Sequence, residues 1–463
     1  MVVLDSAIVN VALAAIQDDL NFAPENLQWT VTGYALTFGG LLLLGGRFGD
    51  LLGRRRMFMV GLVFFAIFSL VCGFAVSPGM LIAGRALQGV GAAILVPSVF
   101  SIVSVTFREG PERNTALGIL GAIGGAGAAL GVLLGGVFTQ FVGWEWVFFI
   151  NVPIAAVALC LVPFFVKESR VEGRGNRFDI AGAVTITASL MFFVFGVTQT
   201  VQVGWGSVQT CSFLAGSFVL LVTFLIIETR SSAPLVPLQF FRKRAPAVAN
   251  LVGFSLGTAV FGTFFLLSLY QQQVLGFSAL KTGLGYLAVS LTAILAAGFS
   301  QRLVTRFGVW PILSIGFLLL TSGLVYFTNI SVEGSYLMDL FPGFLLIGVG
   351  IGFSFVPVSI AALSGVVGKE AGLASGMINT SQQIGGALGL SLLVTVANTR
   401  TGKLLEEGEE LPDALTSGFG IAFWGAIVFT VTALVVTLVA LRGRGVSTYA
   451  RFIPRIPIRR DNV

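Results

Sequence analysis

Apolar runs about twenty residues long recur from one end of this 463-residue chain to the other. A run of about that length is what an α-helix needs to cross the hydrocarbon core of a bilayer. Only 10% of the residues are charged, whereas soluble domains average about 25%. The sequence therefore predicts an all-α integral membrane protein with no independent soluble domain.

Fourteen such runs can be counted, near residues 1–16, 30–46, 57–76, 79–104, 115–139, 146–166, 180–199, 210–227, 246–270, 282–300, 311–330, 335–363, 371–398 and 417–441. The first run ends after about sixteen residues at the polar Gln17, Asp18 and Asp19, which is short of a full span. One hypothesis is that Met1 is an internal methionine and that the natural first helix begins further back.

Lysine and arginine are distributed unevenly over the loops between these runs. With the N-terminus inside, 23 of the 27 face the cytoplasm, only Lys281, Arg400 and Lys403 face outward, and Arg85 lies within a span. This asymmetry follows the positive-inside rule, so we expect a multi-pass protein of the cell (cytoplasmic) membrane with both termini in the cytoplasm. It also explains the net charge of +6 without a nucleic-acid partner.

Several classes of function lack their usual residues. The chain has no histidine, and its three cysteines, Cys72, Cys160 and Cys211, each lie in an apolar run, so the sequence predicts neither a metal site nor a cofactor. A nucleotide-binding GxxxxGK[ST] loop is absent, which argues against ATP as the energy source. No clustered nucleophile, acid/base pair or pore-lining ring is evident, so we expect neither an enzyme nor a passive channel.

The segment Gly46 to Arg56 packs three glycines and five charged residues between two apolar runs, and this predicts a short cytoplasmic loop. Gln301 to Gly308 resembles Gly46 to Gly53, with Thr305 in place of Asp50. Two parallel halves are a transporter architecture. We therefore predict an N-terminal six-helix half (1–166), linkers with two extra helices (167–245), a C-terminal six-helix half (246–441) and a basic cytoplasmic tail (442–463).

Five distinctive segments follow one another along the chain: Leu4 to Leu13 in the first helix, Gly46 to Arg56, Arg85 to Ala93, Gly127 to Gly136 and Trp144 to Pro153. In these segments and their order the chain resembles the major facilitator superfamily, and more narrowly its fourteen-helix drug:proton antiporters, the EmrB/QacA-like exporters. The second, third and fourth segments correspond to that family's motifs A, B and C. Three positions depart from the pattern: Val132 replaces the motif C proline, Leu51 replaces a frequent arginine, and Glu145 replaces a usually basic residue. Because that proline would bend the helix, the first departure weakens the antiporter assignment most.

The resemblance implies roles for particular residues. In motif A, Asp50 is expected to pair with an arginine or to lie at a helix N-terminus as a conformational latch; the alternative is a purely structural loop. The remaining latch and packing candidates are Gly46, Gly49, Gly53, Arg54 and Arg55 in motif A, Gln88 and Gly89 in motif B, and Gly127, Gly131, Gly135 and Gly136 in motif C. The glycines allow close helix packing.

Asp5 and Arg85 are the acid and base that lie within apolar runs of the first half. A charge at membrane depth is functional by default. Burial disfavours a charged carboxylate and a nearby arginine favours it, so together they can balance a proton site. We therefore expect proton coupling at this pair. The alternative is that Asp5 lies at the end of its helix and faces water.

A substrate cavity is expected to be apolar and aromatic with a few amides, which suits amphipathic compounds and organic cations. The candidate residues are Asn10, Tyr34, Asn151, Tyr270, Gln271, Asn379, Gln382 and Gln383. The predicted function is a proton-coupled exporter of drugs, with protons, a small-molecule substrate and the lipid bilayer as partners and a monomer as the expected state. Alternatives on the same scaffold are export of one metabolite, such as an antibiotic, siderophore or amino acid, or uptake of a sugar or organic anion.

Overall fold

The computed structural model describes residues 1–107, 111–169, 179–231, 234–235, 244–363 and 370–441, and this part of the chain is helical between short connections. The α-helices are α1 (Val2–Leu20), α2 (Pro24–Leu27), α3 (Trp29–Leu52), α4 (Arg54–Gly73), α5 (Pro78–Thr106), α6 (Pro111–Phe141), α7 (Trp146–Phe149), α8 (Asn151–Phe165), α9 (Ile180–Val203), α10 (Val208–Arg230), α11 (Arg244–Leu269), α12 (Ala279–Phe307), α13 (Val309–Phe327), α14 (Phe341–Leu363), α15 (Glu370–Glu406) and α16 (Leu411–Leu441). Two π-helical turns, Tyr270–Val274 and Tyr336–Leu340, follow α11 and precede α14.

Each of the fourteen predicted runs coincides with a long helix, or with α7 and α8 together. Within the described residues, twelve helical segments are long and apolar enough to cross a membrane, and α1 and α15 are not among them. Helix α1 carries Asp5, Asp18 and Asp19, and α15 carries the polar run from Asn379 to Gln383. The structure thus supports twelve spans on length and composition, two fewer than the sequence predicted.

The helices pack in two groups with matching internal contacts. In the N-terminal group, α1 to α8, helix α5 packs on α3 and α4, and α1 packs along α6. In the C-terminal group, α11 to α16, helix α14 packs on α12 and α13, and α11 packs along α15. The groups meet where α3 contacts α15, where α6 contacts α12, and where α1 contacts α11.

The central pair, α9 and α10, packs together, and α9 also contacts both α3 and α15. The contact includes a short series of buried polar side chains. Gln28 Nε2 donates to Thr198 Oγ1 at 3.3 Å, and the Thr198 hydroxyl lies 3.4 Å from that of Ser391. Helix α9 therefore covers one side of the contact between the two groups.

The predicted loop from Gly46 to Arg56 is wrong in its extent, because α3 continues to Leu52 and α4 begins at Arg54. The chain turns at Gly53 alone, whose φ of 110° lies in the region that favours glycine. Gly308, with a φ of 89°, makes the same one-residue joint between α12 and α13. The sequence correspondence of Gly308 with Gly53 is thus matched in backbone geometry.

Glu168, to which the sequence pattern gave no role, covers the N-terminus of α4. Its carboxylate accepts hydrogen bonds of 3.1 Å from the backbone N–H groups of Arg55 and Arg56, and its Oε2 lies 3.7 Å from Arg56 Nε. The unpaired N–H groups and the dipole of a helix N-terminus both favour a carboxylate there. The side chain of Asp50, for which such a position was expected, lies outside the described part of the structure.

We predict that Gly45→Ala destabilises the protein by about 1–3 kcal/mol, the usual cost of overpacking. A Cβ at this position would lie 2.0 Å from the Ala93 carbonyl oxygen, where α3 crosses α5. The matched control is Gly298→Ala in α12, where a Cβ meets nothing within 4 Å. Thermal unfolding in detergent measures both variants, and equal melting temperatures would contradict the prediction.

We predict that Glu168→Ala lowers the unfolding free energy by about 0.5–2 kcal/mol, as the loss of a helix N-cap does. The control is Glu407→Ala, which removes an exposed carboxylate 3.8 Å from Lys403. Exposed pairs of that kind are worth about 0–1 kcal/mol. Denaturant or thermal unfolding of both variants checks the difference, and a Glu168 variant no less stable than the control would refute it.

Candidate functional site

A buried ion pair joins α1 to α5. Arg85 Nη1 lies 2.6 Å from Asp5 Oδ2, with the Asp5 side chain 0% and the Arg85 side chain 1% exposed. The guanidinium carbon lies 4.3 Å from the centre of the Tyr34 ring, a cation–π contact. The alternative that Asp5 faces water at a helix end is therefore wrong for this conformation.

Two side-chain amides and one main-chain carbonyl complete the bonding of the pair. Asp5 Oδ1 accepts from Gln88 Nε2 at 2.9 Å and from Asn151 Nδ2 at 2.8 Å. Gln88 Oε1 in turn accepts from Arg85 Nη1 at 2.7 Å, and Arg85 Nε donates to the Thr30 carbonyl at 2.8 Å. Each oxygen of the carboxylate thus has its own donors, which is how a buried charge is stabilised.

The network extends to α4 through Asn151 and Ser69. Asn151 Nδ2 also donates to Ser69 Oγ at 3.0 Å, and that hydroxyl donates to the Phe148 carbonyl at 2.8 Å. Asn151 was expected to line a cavity, but it is fully buried beside Asp5. The hydrogen bonds around Asp5 therefore connect five long helices, α1, α3, α4, α5 and α8, and we call this group of residues the Asp5 network.

The glycines of motifs B and C lie where helices approach closely. A Cβ at Gly89 would lie 2.4 Å from the Tyr34 carbonyl oxygen on α3. A Cβ at Gly131 would meet the Leu4 carbonyl oxygen at 2.7 Å, and one at Gly135 would meet that of Ile8 at 2.8 Å. A Cβ at Gly127 would lie 3.7 Å from the nearest atom of α1, which is a looser contact. A Cβ at Gly136 would instead lie 2.8 Å from the nearest atom of α12. Motif C thus packs α6 against the turn of α1 that carries Asp5.

Hydrogen bonds also connect α1 to the end of α11. Gln272 Nε2 donates to the Val11 carbonyl at 2.9 Å, and Gln273 Nε2 donates to Gln17 Oε1 at 2.7 Å. The Ser268 hydroxyl donates to the Asn10 carbonyl. The π-helical turn at Tyr270–Val274 brings these donors to α1, and we call the set the α1–α11 clasp.

Most of the residues expected to line a cavity are buried or hydrogen-bonded to other parts of the protein in this conformation. Tyr34, Tyr270 and Gln271 are 2%, 0% and 0% exposed, so none of them faces an open cavity. The Tyr270 hydroxyl donates to the Ser331 carbonyl at 2.6 Å, and Asn10 Nδ2 donates to the Ser6 carbonyl at 3.0 Å. Asn379, Gln382 and Gln383 are partly buried on α15, where Gln383 lies beside Gly39 of α3.

Sequence reasoning located the charged pair and named Gln88 and Asn151 in other roles, but it missed Ser69 and the Thr30 carbonyl. Ser69 and the Thr30 carbonyl carry no signal, because serine and threonine recur throughout the apolar runs. Gln272 and Gln273 lie next to a predicted cavity residue, but only the π-helical turn directs them to α1.

Comparisons with known proteins agree with this architecture. The family model described as Major Facilitator Superfamily matches residues 1–390. The chain is 38% identical to the cephamycin export protein CmcT of Amycolatopsis lactamdurans, over 94% of this chain and 89% of that protein. It is 36% identical to the puromycin resistance protein pur8 of Streptomyces alboniger, over 95% and 88%.

Solved structures support the fold. The chain superposes on a mutant of the nucleoside transporter NupG with a TM-score of 0.66 at 11% identity, covering 94% of this chain and 96% of that one. A bacterial homologue of the human lysosomal transporter Spinster, in an inward-facing and occupied conformation, gives a TM-score of 0.63 at 14% identity, covering 95% and 94%. The family match and the transporter relatives indicate a membrane transporter rather than an enzyme. The chain belongs to the major facilitator superfamily.

Proposed function

We propose that this protein is a proton-coupled exporter of amphipathic small molecules, of the fourteen-helix drug:proton antiporter type. The single observation that carries the proposal is the buried Asp5–Arg85 pair. Ionisable residues inside membrane helices mark ion and proton pathways. Relatives described as antibiotic export and resistance proteins support export as the direction of transport.

The geometry of the Asp5 network suits reversible protonation. A proton on Asp5 removes the negative charge that Arg85, Gln88 and Asn151 now stabilise. The attraction that holds α1 against α5 then weakens, because a buried pair depends on both charges. Uptake of a proton is therefore proposed to release α1, and loss of the proton to restore it.

Helix α1 also connects the proton site to the contact between the two groups. Asp5 lies on the same helix as Asn10, Val11 and Gln17, the α1 residues of the clasp. A shift of α1 at Asp5 thus acts directly on the clasp, whose α1 residues lie about one and a half to three turns away. With both termini in the cytoplasm, as proposed from the charge distribution, the clasp closes the external side and the structure is closed to the outside.

The predicted domain layout and latch belong to the same proposal. The chain is proposed to lie in the cytoplasmic membrane as a monomer of two six-helix halves with the central pair between them, divided at 166/167 and 245/246. The joint at Gly53, with Arg54, Arg55 and Glu168, is proposed to form the conformational latch expected of motif A, together with Asp50. Val132 lies within a continuous α6, so the antiport mechanism is proposed to work without the motif C kink.

The substrate class is proposed from the residues between the two groups. Phe261 and the amides of α15 offer an aromatic face and hydrogen-bonding groups there. Such a surface suits amphipathic molecules and organic cations. Export of one antibiotic is the second candidate, because three relatives are described as a cephamycin export protein, a puromycin resistance protein, and a tetracenomycin C resistance and export protein. Growth of an efflux-deficient host expressing the protein, on a panel with these compounds and ethidium, separates broad from single-compound export.

We predict that Asp5→Asn abolishes pH-driven ethidium or antibiotic efflux while leaving binding of the compound measurable. The control is Asp413→Asn, which neutralises an exposed carboxyl group at the start of α16. Efflux is measured in proteoliposomes with an imposed pH gradient. Since breaking a buried pair costs about 3–5 kcal/mol, the double variant Asp5→Asn/Arg85→Gln removes both charges and replaces the single variant if that is unstable. Undiminished pH-driven efflux in either would refute proton coupling at Asp5.

We predict that joining Gln17→Cys to Gln273→Cys with a short bismaleimide stops transport, because the clasp must open in each cycle. The background carries serine at the exposed Cys160 and Cys211. The controls are the two variants that carry only one of the introduced cysteines; treated with the same reagent, each should transport normally. A cross-linked protein that exports at the uncross-linked rate would show that the clasp is not a gate.

A further inference from the structure

We propose that Asn151 is the positioning residue for the proton on Asp5: its side-chain amide turns over, so that its N–H faces the carboxylate and its carbonyl accepts the O–H of the protonated acid. This inference rests on the proposed function, in which Asp5 takes up the proton. Nothing in the motif resemblance assigns such a role to this residue, and the role follows from which atoms around Asp5 have partners.

The two oxygens of Asp5 are not equivalent as proton acceptors. Oδ2 lies 2.6 Å from Arg85 Nη1, so a proton there would face a permanent cation. Oδ1 receives only the neutral amides of Gln88 and Asn151, at 2.9 and 2.8 Å. Oδ1 is therefore the atom that can take the proton. Once protonated it becomes a donor and needs an acceptor in place of one of these N–H groups.

Gln88 cannot supply that acceptor. Its Oε1 already accepts from Arg85 Nη1 at 2.7 Å. Turning the amide would aim its NH2 group at the guanidinium, and two donors would then face each other. Arg85 thus fixes Gln88 in the orientation that donates to Asp5.

Asn151 is free to turn. Its Nδ2 donates to Asp5 and Ser69, while its Oδ1 is buried and, among the residues that the structure describes, has no hydrogen-bond partner. The side chain is 0% exposed, so bulk water does not reach that oxygen. A half-turn about the terminal bond exchanges the two atoms and places the unpartnered carbonyl against Asp5 Oδ1.

Ser69 can follow the turn by exchanging one hydrogen-bond acceptor for another. Its hydroxyl now accepts from Asn151 Nδ2 and donates to the Phe148 carbonyl. After the turn the same hydroxyl can donate to the Asn151 carbonyl in place of the Phe148 carbonyl, since a hydroxyl has one O–H that rotates to suit its partner. Asn151 can therefore bond to Asp5 in both protonation states, whereas an apolar residue of similar size can bond in neither.

The test is the infrared carbonyl band of protonated Asp5 in the purified, lipid-reconstituted protein, followed by difference spectroscopy between high and low pH. Asp5→Asn identifies the band by removing it. In Asn151→Leu the O–H of protonated Asp5 has no acceptor, so the band is expected at higher frequency than in the wild type. Exchange of the Asp5 proton after a change of pH is expected to be slower. Asn151→Ala gives the same comparison if the leucine variant does not fold.

Two controls separate this role from a general structural one. Ser69→Ala removes a bond to Asn151 but keeps its carbonyl, so the band is expected to stay at the wild-type frequency. Asn151→Ser retains a group that can donate and accept, and is expected to keep the band hydrogen-bonded. A band that is present, is lost in Asp5→Asn and is unmoved in Asn151→Leu would overturn this inference alone. If no band titrates, or if it survives Asp5→Asn, the proposed proton site fails as well.

Discussion

The ion pair between Asp5 and Arg85 is the constraint around which the N-terminal group is arranged. Two opposite charges at 2.6 Å, both withdrawn from solvent, are stable only when their remaining hydrogen-bonding capacity is met. The neighbouring helices meet that need with two amides and a main-chain carbonyl. The glycines of α6 let its backbone approach the same turn of α1. Close packing and charge compensation thus converge on one carboxylate.

Much of the helical layout could be predicted from the sequence, because apolar runs and charged loops report directly on the membrane. Asp5 and Arg85 were identifiable for the same reason, since a charge in an apolar run is conspicuous. In the part of the chain that the structure describes, the long helices lie where the runs do, although α1 and α15 are too polar to be counted as spans by composition.

Other features were not accessible because they depend on partners distant in sequence. A stretch of glycines and arginines reads as a loop, yet one positive-φ residue, Gly53, is enough to reverse the chain. Glu168 reads as an ordinary linker charge, and only the fold brings it to the α4 N-terminus. Asn151 reads as a polar residue near a helix start, and its two bonding partners come from helices more than 80 residues away.

The position of α9 has a consequence for the surrounding lipid. Its side chains fill one flank of the line where α3 meets α15, with Thr198 touching residues from both groups. An acyl chain cannot reach that line from the covered flank. Helix α9 thereby makes this flank a protein-lined seam, in which α3 and α15 face protein instead of acyl chains.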